Sequence, residues 1–190
     1  MEYIPIPSQT VGPYFAIGLT TPRPVARIAN PEVKGERVKL LCTVMDGQGQ
    51  PIPDAMIEIW QANAEGKYNH PDDTQEKTVD PAFLGHGRLG TDDRGACAFE
   101  TIRPGRVPGP NGTLQAPHLE VSIFARGLLK RLATRIYFAG DAANGEDPIL
   151  ALVPEDRRGT LMAQPVAGKA GAWHVELHLS GENETVFFDV

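Results

Sequence analysis

His118 and Glu120 stand two residues apart in the run Pro-His-Leu-Glu-Val-Ser-Ile-Phe-Ala-Arg at positions 117 to 126. Side chains at i and i+2 of an extended strand share a face, about 6.6 Å apart along the axis, a spacing from which two ligands can converge on one metal ion. Alternation puts Leu119, Val121, Ile123 and Ala125 on one face and His118, Glu120, Ser122, Phe124 and Arg126 on the other. Tyr68, which ends the stretch that starts at Trp60, is a third candidate donor. A phenolate favours ferric over ferrous iron, whereas neutral imidazole suits iron, copper and zinc alike. A plainer reading is open for both residues: Tyr68 packs beside Trp60 with its hydroxyl wet, and His118 is a satisfied strand histidine.

The elements that must position these groups are short and extended. Residues 37–45, rich in Val, Leu and Cys, predict a buried strand, and the turn cluster Asp46-Gly-Gln-Gly-Gln-Pro-Ile-Pro leads to a second strand at 55–61. The two are expected to be neighbours or a hairpin. The pattern repeats at 87–91 and 96–103 around Asp92-Asp-Arg-Gly, at 118–126 and 130–138 across Gly127, and again at 173–179. Several short strands with turn signals between them predict a mainly β, largely antiparallel sandwich. Helix is expected only near 148–153 and 155–158. The proline-rich residues 1–35 predict an N-terminal arm with loops, packed on a partner, and residues 36–190 predict the core domain.

Composition narrows the function classes. With 18 basic and 24 acidic residues the net charge is −6, which offers nothing to nucleic acid or an anionic membrane surface. No apolar run is long enough for a membrane span, and the start has neither a basic region nor an apolar stretch for export, so a cytoplasmic protein is expected. Cys42 and Cys97 lie far apart within predicted strands and predict buried free thiols in a reducing compartment. His70, His86, His174 and His178 are read as loop or solvent-face residues, and Glu155-Asp-Arg-Arg158 as a solvated turn.

Five segments, in order and at consistent spacing, carry a resemblance: Ser8-Gln-Thr-Val-Gly-Pro-Tyr14, the stretch from Ile59 to Tyr68, Gly87-Arg-Leu-Gly-Thr-Asp92, Thr101-Ile-Arg-Pro-Gly105, and Pro117 through Gly127. Together they resemble the intradiol ring-cleaving dioxygenases, from about residue 5 to the C-terminal segment. That resemblance implies a mixed, mainly antiparallel β-sandwich. It also implies a non-haem ferric ion, held in the catalytic chains by two tyrosines and two histidines, that binds a catecholate for attack by O₂.

The resemblance further implies where each ligand falls. The first tyrosine and first histidine match Tyr68 and His118; the second tyrosine falls on Val107 and the second histidine on Glu120. An arginine of the catalytic chains falls on Gln115, so the positive charge that would stabilise a developing substrate anion is expected to be gone. These departures imply a vestigial pocket of Tyr68, Val107, Gln115, His118 and Glu120, with no metal and no catalytic residue in this chain alone. The similarity lies with the family's non-iron-binding alpha-type subunits. It implies a homologous beta subunit holding Fe(III), and cleavage of protocatechuate with O₂ to 3-carboxy-cis,cis-muconate. Thr10, Gly12, Pro13, Tyr14 and Arg126 would then meet substrate at the interface with that partner, the guanidinium suiting a benzoate carboxylate. Arg126 lies about 26 Å along an extended strand from His118, so one small substrate cannot reach both. Other readings stay open: an arm that only ties subunits together, Arg126 as a surface strand-end residue, a scaffold subunit without catalytic contribution, or a homo-oligomeric metalloenzyme using Tyr68, His118 and Glu120.

Overall fold

The structure is a computed structural model that describes residues 5–20 and 24–190. Residues 1–4 and 21–23 of the expected arm lie outside the described residues. Ten strands follow one short helix, α1 (Pro13–Leu19): β1 (Arg37–Met45), β2 (Met56–Trp60), β3 (His86–Gly90), β4 (Ala96–Ile102), β5 (Val107–Pro108), β6 (Leu114–Gln115), β7 (His118–Phe124), β8 (Leu132–Phe138), β9 (Met162–Pro165) and β10 (Ala172–His178).

Eight strands form one sheet in the order β3-β2-β7-β8-β9-β10-β1-β4, and β5 with β6 forms a separate two-stranded piece. Short β9 links two layers, pairing in parallel with β8 and antiparallel with β10. β1 also runs parallel to β10, so the sheet is mixed. The alternation of β1 buries Val38, Leu40, Cys42 and Val44 against Ile57 and Ile59 of β2 and Leu119, Val121 and Ile123 of β7 in one core. Each fully buried aliphatic side chain of this kind contributes about 1.5–3 kcal/mol. The mainly β, mixed sandwich expected from the sequence is what the chain forms.

Strand positions match the expectations, but two pairings do not. β1 and β2 are not neighbours: β1 pairs with β4 and β10, and β2 with β3 and β7. β3 and β4 lie at opposite ends of the strand order. In both cases the connecting turn crosses between layers, because the two apolar faces bury each other across the core instead of lying side by side. The third expected pair, β7 with β8, is a true antiparallel neighbour. Cys42 and Cys97, distant in sequence, face each other in the β1–β4 register as buried free thiols.

In the N-terminal segment, Pro13 sits at the first helical position, where its missing N–H costs nothing, and Gly12 precedes it in extended conformation. Residues 24–33 run along the core: Val25, Arg27 and Ala29 bridge to Arg88, Glu100 and Phe83, and Ile28 is fully buried. The segments expected near 148–153 and 155–158 form 3₁₀ turns at Leu150–Leu152 and Glu155–Leu161, and further 3₁₀ turns occupy Pro110–Gly112 and Ala142–Glu146.

Candidate functional site

β7 lies between β2 and β8, and its register sets Trp60, Glu120 and Arg135 in one row across the three strands. The next row on the same side pairs His118 with Tyr137. The segment that enters β7 is anchored by Asp147, which is 1% exposed. Its carboxylate accepts hydrogen bonds from the N–H groups of Ala116 (2.6 Å), Ile149 (2.9 Å) and Leu150 (2.7 Å) and from the Tyr137 hydroxyl (3.2 Å). Four donors on one buried carboxylate satisfy loop groups that no strand ladder serves.

The other wall comes from the loop after β2. Buried Gln61 donates to the Ile102 carbonyl and accepts from the Thr101 hydroxyl, tying the end of β2 to the end of β4. Asn63 Oδ1 accepts from the Glu65 and Lys67 N–H groups, and Asp73 accepts from the Tyr68 N–H. Gly66, with φ +79, sits so close to the next segment that a Cβ there would lie 1.9 Å from the Arg106 carbonyl oxygen. Only glycine permits that approach, and it sets Tyr68 beside Val107. Tyr68 stacks on Trp60 with centroids 6.1 Å apart and an interplanar angle of 6°. Trp60, Tyr68, His70, Asp73, Val107 and Pro108 line an open cavity of about 580 Å³, whose lining excludes His118, Glu120 and Arg135.

Behind that wall lies a compact polar cluster. His118 is buried and its Nδ1 lies 2.7 Å from the Ala116 carbonyl, the geometry of a donated hydrogen bond, which leaves Nε2 facing Glu120. Nε2 is 3.3 Å from Glu120 Oε1 but makes no hydrogen bond. The same carboxylate oxygen receives Arg135 Nη2 at 2.6 Å, and Arg135 Nη1 donates to Gln115 Oε1 at 2.7 Å. Gln115 in turn donates to the Pro108 carbonyl. Burial pushes the Glu120 carboxyl up, but contact with His118 and the Arg135 guanidinium outweighs it and holds the group below its ordinary value. Burial, reinforced by the Glu120 charge, raises the Tyr68 hydroxyl to about 12.

The structure thus brings Tyr68, Val107, Gln115, His118 and Glu120 into one region, with Arg135 among them. Gln115 itself receives a guanidinium, that of Arg135 from β8, whose charge is paired with Glu120. Neither Arg135 nor Asp147 stood out in the sequence. The alternation of β8 was the only signal for Arg135, and it named no partner. The donor set does not fit a ferric ion. Val107 has no donor atom, and the carboxylate that would be the third ligand is ion-paired to a guanidinium. Among the described residues no three His, Cys, Asp or Glu side chains are grouped to hold a metal.

A family model described as Dioxygenase matches residues 10–175. The protocatechuate 3,4-dioxygenase alpha chain of Burkholderia cepacia is 39% identical over 197 residues, covering 97% of this chain and 96% of its own length. This chain belongs to the intradiol ring-cleavage dioxygenases. Another relative in this family of oxidoreductases is the protocatechuate 3,4-dioxygenase beta chain of the same organism, 35% identical over 165 residues, with 83% of this chain and 70% of that one covered. In fold the chain resembles the dioxygenase domain of a dioxygenase and carbohydrate-binding protein fusion from Streptomyces sp. SirexAA-E. The TM-score is 0.64 at 23% identity, with 94% and 99% of the two chains covered.

Within this intradiol dioxygenase fold the remaining predicted site residues gather away from the buried cluster, where β7 ends. Arg126 is exposed, and its Nε contacts Asp54 Oδ2 at 3.0 Å, leaving both Nη groups free of that carboxylate. Asp54 adopts φ +59, an uncommon conformation for a residue with a side chain. The Thr10 hydroxyl accepts from the Gly127 N–H at 2.8 Å, and Phe15 packs on Phe124 with centroids 5.3 Å apart. These contacts hold Thr10 and Phe15, on either side of Gly12, Pro13 and Tyr14, against the end of β7. Tyr14 and Ile17 remain 85% and 57% exposed, an apolar display on a short helix. Among the described residues no helix is long and apolar enough to cross a membrane.

Proposed function

We propose that this chain is the non-iron-binding alpha subunit of a protocatechuate 3,4-dioxygenase, paired with a homologous beta subunit that holds Fe(III). The assembly cleaves protocatechuate with O₂ to 3-carboxy-cis,cis-muconate. The observation that carries this reading is the Glu120–Arg135 ion pair at 2.6 Å where a ligand-bearing strand of the family would present its second histidine. A chain whose ligand positions are tied up in this way contributes to ring cleavage through a partner's site.

Its own contribution is the wall formed by Thr10, Gly12, Pro13, Tyr14 and Arg126. The Asp54 contact takes only the Nε edge of Arg126, so the two Nη groups are available to a benzoate carboxylate. Of the N-terminal segment, residues 5–20 serve as the arm for the partner, while residues 24–33 pack on this chain's own core, and exposed Tyr14 and Ile17 supply apolar contact area. Paired, buried and unoxidised Cys42 and Cys97 suit a cytoplasmic setting.

Two measurements test the proposal. Purified alone, the chain should be colourless and inactive; a burgundy, iron-containing preparation would refute the reading. In the reconstituted complex, Arg126→Ala should raise KM for protocatechuate about tenfold or more while the oligomer stays intact, the loss expected for a charge-assisted contact. Unchanged kinetics would favour a purely structural subunit.

A further inference from the structure

We propose that Arg135 is the resident cation of the buried cluster and the residue that bars a metal ion from it. The inference rests on the reading that this chain holds no iron and goes beyond it by naming the group that occupies the site in the metal's place.

Three observations carry it. Glu120 and Arg135 are directly opposed in the β7–β8 register, so backbone pairing and not side-chain chance brings them together. Each terminal nitrogen of the guanidinium is engaged, Nη2 by Glu120 Oε1 at 2.6 Å and Nη1 by Gln115 Oε1 at 2.7 Å, with side chains only 16% exposed for Arg135 and 38% for Glu120. His118 Nε2 is buried without a hydrogen bond, 3.3 Å from the same carboxylate oxygen. An ion seated between His118 and Glu120 would lie within a few ångströms of the guanidinium, where two positive charges in a poorly solvated site repel strongly. The guanidinium also neutralises Glu120, a partly buried carboxylate that in the metal-free chain has no other full counter-charge beside it. Arg135 therefore both permits the metal-free fold and excludes the metal.

The test restores the missing donors with and without this residue. Three full-length chains are compared: the natural sequence, Val107→Tyr with Glu120→His, and that pair with Arg135→Gln. Each is exposed to ferrous iron in air and desalted, then assayed for bound iron and for a visible phenolate-to-iron absorption band. Circular dichroism checks folding. The paired variant should stay iron-poor, and adding Arg135→Gln should raise bound iron at least about tenfold and bring in the visible band, as expected for removing an adjacent positive charge. Equal iron in the paired and triple variants, at any level, overturns the role of Arg135. Iron in the natural sequence would instead overturn the metal-free reading on which the inference rests. If Gln at 135 prevents folding, Arg135→Met in the same pair makes the same comparison.

Discussion

Replacing Asp147 with Ala should be among the most damaging single changes in this protein. The residue is 1% exposed and accepts four hydrogen bonds, from three backbone N–H groups and the Tyr137 hydroxyl. Two of those donors, on Ala116 and Leu150, belong to residues no more than 2% exposed, so water cannot replace the carboxylate there. Each orphaned buried donor costs about 1–3 kcal/mol, and the lost bonds to a charged acceptor bring the total to about 3–5 kcal/mol. For a domain of this length each kcal/mol lowers Tm by about 2–4 °C, so the melting temperature should fall by about 6–20 °C. Thermal unfolding followed by circular dichroism, with urea titration checking that the m-value is unchanged, measures this directly. Tyr137→Phe, which removes one of the four bonds, should cost only about 1 kcal/mol. A loss below about 1 kcal/mol for Asp147→Ala would refute the claim that this carboxylate organises the entry to β7.

Gly66→Ala should cost about 2 kcal/mol or more, since it imposes a side chain at φ +79 and drives Cβ into the Arg106 carbonyl; denaturant unfolding measures it, and a neutral result would mean the loop shifts freely. Burial pushes the Asp141 carboxyl up, but the Arg103 guanidinium at 2.6 Å and the Ala143 N–H outweigh it and hold the group below its ordinary value. Because the folded value lies below the unfolded one, near 3.9, that stabilisation is present above about pH 4 and disappears as pH falls through the folded value. Asp141→Asn should therefore be less stable than the natural protein across neutral pH, with the two melting curves converging in strong acid. The Cys42 thiol is raised by its hydrogen bond to Cys97 and by burial, so Cys42 should not react with a thiol reagent in the native protein and should react once it is unfolded, and the buried position of Cys97 shields it likewise.

Much was legible from residue order because it is decided locally. The two-residue period of β1 and β7 follows from backbone geometry, and their apolar sets at 38–44 and 119–123 face the core as alternation requires. That a valine stands at 107 and a glutamate at 120, where the resemblance places a tyrosine and a histidine, is a matter of residue type and needs no fold to be seen. Local features also explain what was missed in the arm: proline content argues for extension, yet Pro13 at the first helical position favours α1.

Which strands lie side by side was settled only in three dimensions. β1 takes β10, from the far end of the chain, as its parallel neighbour and leaves β2 to the opposite layer. Turn residues can signal that a chain reverses, but whether it reverses within a sheet or across the core depends on where every apolar face can be buried at once. Arg135 illustrates the same point at the site. By sequence it is one polar residue of an alternating strand, and the β7–β8 register alone makes it the counter-ion of Glu120. Sequence by itself therefore determined which residue types, valine at 107 and glutamate at 120, stand where the family resemblance places iron ligands. The tertiary structure decided what those positions meet, because a charge finds its partner through strand register and burial and not through neighbours along the chain.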